Sequence, residues 1–421
     1  MRDKRLHQYL PTPSERMGIL WALLSVGDLM VLEYGPTGTT HYGIETLAAF
    51  GLPLSRNLFA AHMDQDTVVM GDTAPLSEAI RELDETYHPK YLTVLGSSVS
   101  SLIGADIQSV CSAIQDDVAA RLIPIDHCDF VSEFSEGLRI ALTALVKSMS
   151  KPADRLPGTF NILGVSPDAY GAQADAAEIV RLMEEGFGWR LNAALPWTGG
   201  INGINGFNGF ETAARAALNL VIRDEAIPAA DWLREQYGTP TLVGVPYGYA
   251  GTLRWLERIA ERIQSLVNPT LRTRLTEKAA SLASQRLSSG AQRFAVIGVY
   301  SLVKGLSDFL QREAGLTPMF RICSHSARTV NAPDPSVQFA PDEKPRMGQI
   351  TNLRDTILLA DDVSLQLAHP SVRGIRASHP RLLRDRDDAP AMDGFCGERG
   401  ADLCIRTAAA GRCSVCEPNA L

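Results

Sequence analysis

No apolar run in this chain is long enough to cross a bilayer. The longest, around Ile19–Leu24 and Asp28–Leu32, are short and interrupted. Residues 1–20 carry basic side chains but no sustained apolar segment of the secretory type, so the expectation is a soluble cytoplasmic protein with no membrane partner. An excess of positive charge is also missing. Forty Lys and Arg against 48 Asp and Glu give a net charge of −8, which argues against a general nucleic-acid binder. Cysteine is scarce: seven residues, an odd number with irregular spacing, suggest no disulfide framework. Neither GxxxxGK[ST] nor GxGxxG occurs around Gly35–Gly38, which argues against a phosphate loop there and leaves those glycines to turn geometry.

What is present is a globular composition. Hydrophobic residues make up 45% and charged residues 21% of 421 positions, enough for a core in two or three domains. Residues 1–13 form a polar arm in which Pro11 and Pro13 discourage helix. Residues 14–150 read as a first α/β domain. Short β-rich runs alternate with amphipathic helices: Thr67–Met70 before Leu76–Thr86, Tyr91–Leu95 before Ser101–Val118, and Leu122–Ile125 before Glu136–Met149. Such alternation implies a parallel sheet covered on both faces.

Lys151–Gly158 reads as a linker. A second α/β domain spans 159–290, with strands at Thr159–Val165, Leu191–Leu195, Leu218–Ile222 and Thr241–Pro246, and one long helical stretch over 250–290. Residues 199–209, GGINGINGFNG, signal a loop: a flexible connector or a backbone-rich lip over a cavity between domains. A third α/β domain spans 291–402, with strands at Arg293–Gly298, Thr317–Ile322 and Thr356–Ala360, and an exposed loop at Asn331–Arg346. Residues 403–421 are a cysteine-containing tail.

Two stretches organise the rest. In the first, a strand at Met30-Val31-Leu32 leads to the turn Gly35-Pro36-Thr37-Gly38-Thr39. In the second, Tyr91–Leu95 leads through Gly96-Ser97-Ser98 to Leu102-Ile103-Gly104-Ala105-Asp106-Ile107. Both place their turns at the carboxyl ends of strands, where open α/β sheets carry their sites. Further segments are Val68-Val69-Met70-Gly71-Asp72, Ala217-Leu218-Asn219-Leu220-Val221, Pro246-Tyr247-Gly248-Tyr249 with Thr252, and Gly394-Phe395-Cys396-Gly397-Glu398-Arg399-Gly400-Ala401. Together these segments resemble the nitrogenase component 1 family, which includes nitrogenase subunits, cofactor-assembly scaffolds and dark-operative protochlorophyllide reductase subunits.

The resemblance implies three Rossmann-like α/β domains with parallel sheets around a central cleft. It also implies three cysteines holding an iron–sulfur cluster at a subunit interface. Here the matching positions are Ser14, Thr39 and Ser98. Thiolates suit such clusters because sulfur is soft and deprotonates near iron, whereas a hydroxyl is hard and stays protonated. The catalytic nitrogenase subunit has a cofactor-ligating cysteine just after Asn-Leu-Val; this chain offers Ile222-Arg223. The expectation is an iron–sulfur cluster held mainly by a partner subunit, with Ser14, Thr39, Ser98 and His41 facing it and no metal ligand supplied here. His41 could ligate, relay a proton, or simply make an interface hydrogen bond. Glu33 and Asp28 flank the same region as conceivable carboxylate donors.

The implied function is a subunit of a nitrogenase-like oxidoreductase complex performing low-potential reduction. Its partners would be a homologous component 1 subunit and an ATP-dependent iron–sulfur reductase. The alternatives are a scaffold subunit for metallocofactor assembly and a non-redox binding protein on the same fold. No catalytic residue is assigned by the sequence. Cys396, Cys404, Cys413 and Cys416 fit no common zinc or ferredoxin spacing and read as reduced surface thiols; Cys111, Cys128 and Cys323 read as core. Trp197, Tyr247 and Tyr249 are placed to line an interdomain cavity or to pack, with Arg215 and Arg223 available to an anion or solvent.

Overall fold

Among the described residues, thirteen short strands, each followed by helix or turn, assemble into three separate sheets whose every pairing is parallel. The structure is a computed structural model. It describes residues 13–27, 29–38, 40, 57–126, 132–152, 154–197, 210–284, 293–379 and 394–410.

The first sheet contains β1 (Met30–Tyr34), β2 (Leu58–Ala61), β3 (Tyr91–Gly96) and β4 (Arg121–Ile125), in the order β2-β1-β3-β4. The second repeats that order with β5 (Leu156–Val165), β6 (Arg190–Pro196), β7 (Ala216–Val221) and β8 (Thr241–Val243), as β6-β5-β7-β8. The third contains β9 (Arg293–Gly298), β10 (Thr317–Cys323), β11 (Gln338–Phe339), β12 (Ile357–Ala360) and β13 (Arg373–Arg376), in the order β11-β10-β9-β12-β13. The winding direction reverses once in each sheet: between β1 and β3, between β5 and β7, and between β9 and β12. At such reversals the loops diverge and leave a crevice beyond the strand ends.

Central strands are mostly apolar, as parallel strands covered on both faces are, with Glu33 in β1, Asn161 in β5 and Asn219 in β7 as buried polar exceptions. β3 is buried at all six positions and β12 at all four. One continuous core joins the second and third sheets, and another joins the first sheet to the second. In the latter, helix Glu15–Leu24 crosses helix Phe134–Ser148 at two glycines. A Cβ at Gly18 would lie 2.1 Å from the Phe134 carbonyl oxygen, and one at Gly137 would lie 1.9 Å from that of Glu15.

Several expected elements differ. Thr67–Met70 is not a strand but part of helix Gln65–Met70. Asp64 caps it, accepting from the Thr67 N–H at 2.8 Å, and Gly71 ends it in the left-handed conformation. The strand of that unit lies upstream, at β2. Ser101–Val118 breaks into helices Ser98–Leu102 and Ile107–Ile114. Gly104 has a positive φ between them, and Asp106 caps the second by accepting from Ser109. The stretch 250–290 is likewise two helices, Tyr249–Ile263 and Pro269–Ser284, separated at the left-handed Gln264. Within Asn331–Arg346 lie β11 and the start of helix Glu343–Thr351. The end of the expected linker, Leu156-Pro157-Gly158, already belongs to β5. The 199–209 loop lies outside the described residues. Among the described residues no helix is long and apolar enough to cross a membrane.

Candidate functional site

The crevice of the first sheet is built from the two turns the sequence singles out. After β1 the chain turns at Gly35, and after β3 at Gly96-Ser97. A Cβ on Gly35 would sit 2.5 Å from Ser97 Cβ and Oγ, so only glycine lets the turns approach this closely. Ser97, not Ser98, makes the capping contacts. Its Oγ accepts from the Ser100 N–H at 3.1 Å, and Ser100 Oγ accepts from the Ser97 N–H at 2.7 Å. Ser98 is the half-buried first residue of the helix. Ser14 is exposed and caps helix Glu15–Leu24, its Oγ accepting from the Met17 N–H at 3.4 Å. Thr39, His41 and Asp28 lie outside the described residues.

Glu33 is not a free carboxylate. It is fully buried, paired with the Arg16 guanidinium, and accepts a hydrogen bond from Thr40 Oγ1. The short helices Gln65–Met70, after β2, and Ser98–Leu102, after β3, leave apolar side chains uncovered: Val69 is 80% exposed, Met70 79% and Leu102 72%.

The crevice of the second sheet opens toward the third. A cavity of ≈ 30 Å³ lies there, lined among others by Gly164, Arg223, Asp175, Tyr247, Ser301 and Cys396. Gly164 has φ +106°, and a Cβ on it would meet Arg223 Cβ at 3.0 Å, so glycine makes way for the arginine. Asp168 Oδ1 and Oδ2 accept from Arg223 Nη1 at 2.7 and 2.8 Å, and Glu225 accepts from Nε and Nη2 at 3.3 and 3.1 Å. Attraction to both carboxylates outweighs burial, holds the guanidinium charged and lowers the Glu225 pKa. His325, after β10, places Nε2 3.8 Å from Glu225 and accepts there from the Tyr300 N–H at 3.4 Å.

On the other wall Asp175 is buried. Burial pushes its carboxyl up to about 7, against the N–H groups of Phe395 and Cys396 that donate to it. Nothing in the sequence pattern distinguishes Asp175 from an ordinary helix residue. Only the docking of the last helix, Gly397–Ala410, against helix Ala172–Phe187 encloses it.

That docking also corrects the reading of the tail cysteines. Cys396 and Cys404 are buried, not surface thiols, and burial raises both: Cys404 to about 12, Cys396 well above its usual range. Cys111 and Cys323 are core residues, as expected; Cys128, Cys413 and Cys416 lie outside the described residues. Tyr247 lines the cavity, whereas the Tyr249 hydroxyl turns to Asp402. Trp197 packs on the core. Arg215 sits away from the cleft, paired with Asp154.

Three parallel-sheet units around a charged central cleft set the context for likeness to known proteins. The sequence matches the family described as nitrogenase component 1 type oxidoreductase over residues 14–403. The chain belongs to that family. A solved structure described as nitrogenase Cp1 at pH 6.5 shares the fold, with a TM-score of 0.79 over 97% of this chain and 94% of that one, at 17% identity. Among curated relatives, a nitrogenase iron-molybdenum cofactor biosynthesis protein NifE of Methanosarcina barkeri is 27% identical over 251 residues, 56% of this chain and 52% of that protein. A light-independent protochlorophyllide reductase subunit of Chloroflexus aurantiacus is 27% identical over 191 residues, 45% of this chain and 34% of that protein. The chain spans about half the length of the biosynthesis relatives it matches.

Proteins of this family carry iron–sulfur clusters, and the donors seen here do not fit one. Among the described residues no group of three or more His, Cys, Asp or Glu could hold a metal ion. The described cysteines are buried with raised pKa values, which favours the neutral thiol over the thiolate a cluster needs. Ser14 offers a hard hydroxyl already engaged in a helix cap.

Proposed function

We propose that this chain is the non-ligating subunit of a nitrogenase-like complex, with the metal ligands carried by a homologous component 1 partner. The observation that carries this reading is the first crevice. Its buried carboxylate is neutralised by Arg16, the positions that the resemblance aligns with cluster cysteines bear oxygen, and the short helices after β2 and β3 leave Val69, Met70 and Leu102 uncovered. Exposed apolar side chains suit a protein partner better than solvent. In this reading the chain supplies the interface and the docking surface. Low-potential reduction, driven by an ATP-dependent iron–sulfur reductase, is completed at the partner's site in the cytoplasm.

The test is co-purification with the homologous subunit under strict anaerobiosis, followed by iron and acid-labile sulfide analysis. The reading expects a stable complex whose iron all remains with the separated partner. A complex without iron or charge-transfer absorption would leave a non-redox protein on this fold. A second reading, a scaffold subunit for metallocofactor assembly, is favoured by relatives described as cofactor biosynthesis proteins. It expects iron that leaves the complex for an acceptor protein and no turnover with the reductase.

A further inference from the structure

We infer that the central cleft of this chain is charge-locked without metal: Arg223, gripped by Asp168 and Glu225 of its own α/β unit, closes the cleft at the seam with the third unit. The inference rests on the reading of a chain that supplies no metal ligand and deepens it at the cleft; cluster absorption would end both, whereas the Arg223 variants test the charge lock alone.

The position is the one where the sequence resemblance leads a cofactor ligand to be sought, immediately after Asn219-Leu220-Val221. A guanidinium occupies it. Arg223 is buried, and carboxylates close on it from two directions: Asp168 from the loop after β5 and Glu225 from the turn after β7. The cavity beside it, ≈ 30 Å³, has room for about two waters.

Polar contacts beside this triad reach the other two units. Glu225 faces His325 of the third unit at 3.8 Å. Its neighbour Asp224 accepts from the Asn331 N–H at 2.8 Å, again across to the third unit. Next to His325, the Ser326 N–H donates to Glu133 Oε2 at 2.6 Å, and Glu133 forms an isolated bridge with Ser14 of the first unit. An ion pair enclosed this way does not admit a cluster by a side-chain rotation, because releasing Arg223 would leave two buried carboxylates unpaired.

The experiment uses the full chain, purified anaerobically, with Cys413→Ser and Cys416→Ser removing the tail thiols as adventitious iron ligands. It is incubated with ferrous iron and sulfide and desalted. The expected result is no cluster absorption and an unfolding midpoint that a chelator does not move. In parallel, Arg223→Met lowers the midpoint and speeds proteolysis, and adding Asp168→Asn with Glu225→Gln recovers most of the loss. The recovery arm reports even where Arg223→Met alone does not fold. Cluster absorption in the tail-serine chain overturns the inference. So does an Arg223→Met chain as stable as the parent, or a triple variant with no recovery.

Discussion

Replacing Gly137 by alanine tests the helix crossing that seats the first crevice. In an isolated helix the change would help, since alanine is favoured over glycine by about 1 kcal/mol. Here the new methyl carbon would sit 1.9 Å from the Glu15 carbonyl oxygen and 2.8 Å from the Ile19 nitrogen. Both are backbone atoms of the facing helix, so no rotamer change relieves them. Restoring an ordinary separation of 3.4 Å requires the helices to part by about 1.5 Å. A gap of that size forfeits most of the dispersion between facing side chains, and overpacking typically costs ~1–3 kcal/mol. The net expectation is a loss of about 1–2 kcal/mol, the better helix former offsetting only part of the cost. Urea unfolding followed by tryptophan fluorescence reads it, one of the five indoles, Trp21, lying 5.1 Å from the Phe134 ring in the same crossing. A Gly137→Ala midpoint equal to or above the parent's would refute the reasoning.

Three further outcomes are expected. Asp175 is raised to about 7 in the folded chain, so the proton is held in the folded state over a range where the unfolded chain has released it. Stability relative to acid conditions therefore falls as pH rises from the ordinary carboxylate range toward 7, and Asp175→Asn, followed by thermal melts across that range, flattens the slope. Glu313 accepts the N–H groups of Tyr249, Ala250 and Gly251 at 2.9, 3.0 and 2.9 Å, so Glu313→Ala uncaps helix Tyr249–Ile263 at a cost of ~1 kcal/mol or more; an unchanged denaturant midpoint would contradict that. Leu102→Asp, on an exposed side chain, leaves the melting temperature within about 1 °C but abolishes co-purification with the homologous partner; retained binding in a pull-down would count against the proposed interface.

Legibility in the sequence followed the length and apolarity of each strand. β3, β9 and β12 announce themselves as apolar runs because neighbours pair with them on both sides, and the edge strand β4 does so through its own run Leu122–Ile125. The edge strands β2, β11 and β13 were not legible: LFAA, QF and RGIR are too short or too polar to signal themselves, and only a paired neighbour makes them strands. Thr67–Met70 misled for a related reason. Two adjacent valines suggest strand, yet the Asp64 cap and the Gly71 terminus decide for helix. The chemistry divided likewise. The hydroxyls at Ser14 and Ser98 stand in the sequence as letters, whereas the burial of Cys396 and Cys404 depends on a helix returning from more than two hundred residues away.

Residue identity and local spacing alone determined the parallel α/β class, the family resemblance and the absence of sulfur at Ser14 and Ser98, because these are properties of neighbouring residues. Tertiary structure alone decided that Arg223 is locked between Asp168 and Glu225, that Asp175 is enclosed, and that Val69, Met70 and Leu102 stay uncovered. Burial and the full set of charge partners are set by what distant segments bring alongside: Glu225 is a near neighbour of Arg223 in the chain, but Asp168 reaches it from the loop after another strand.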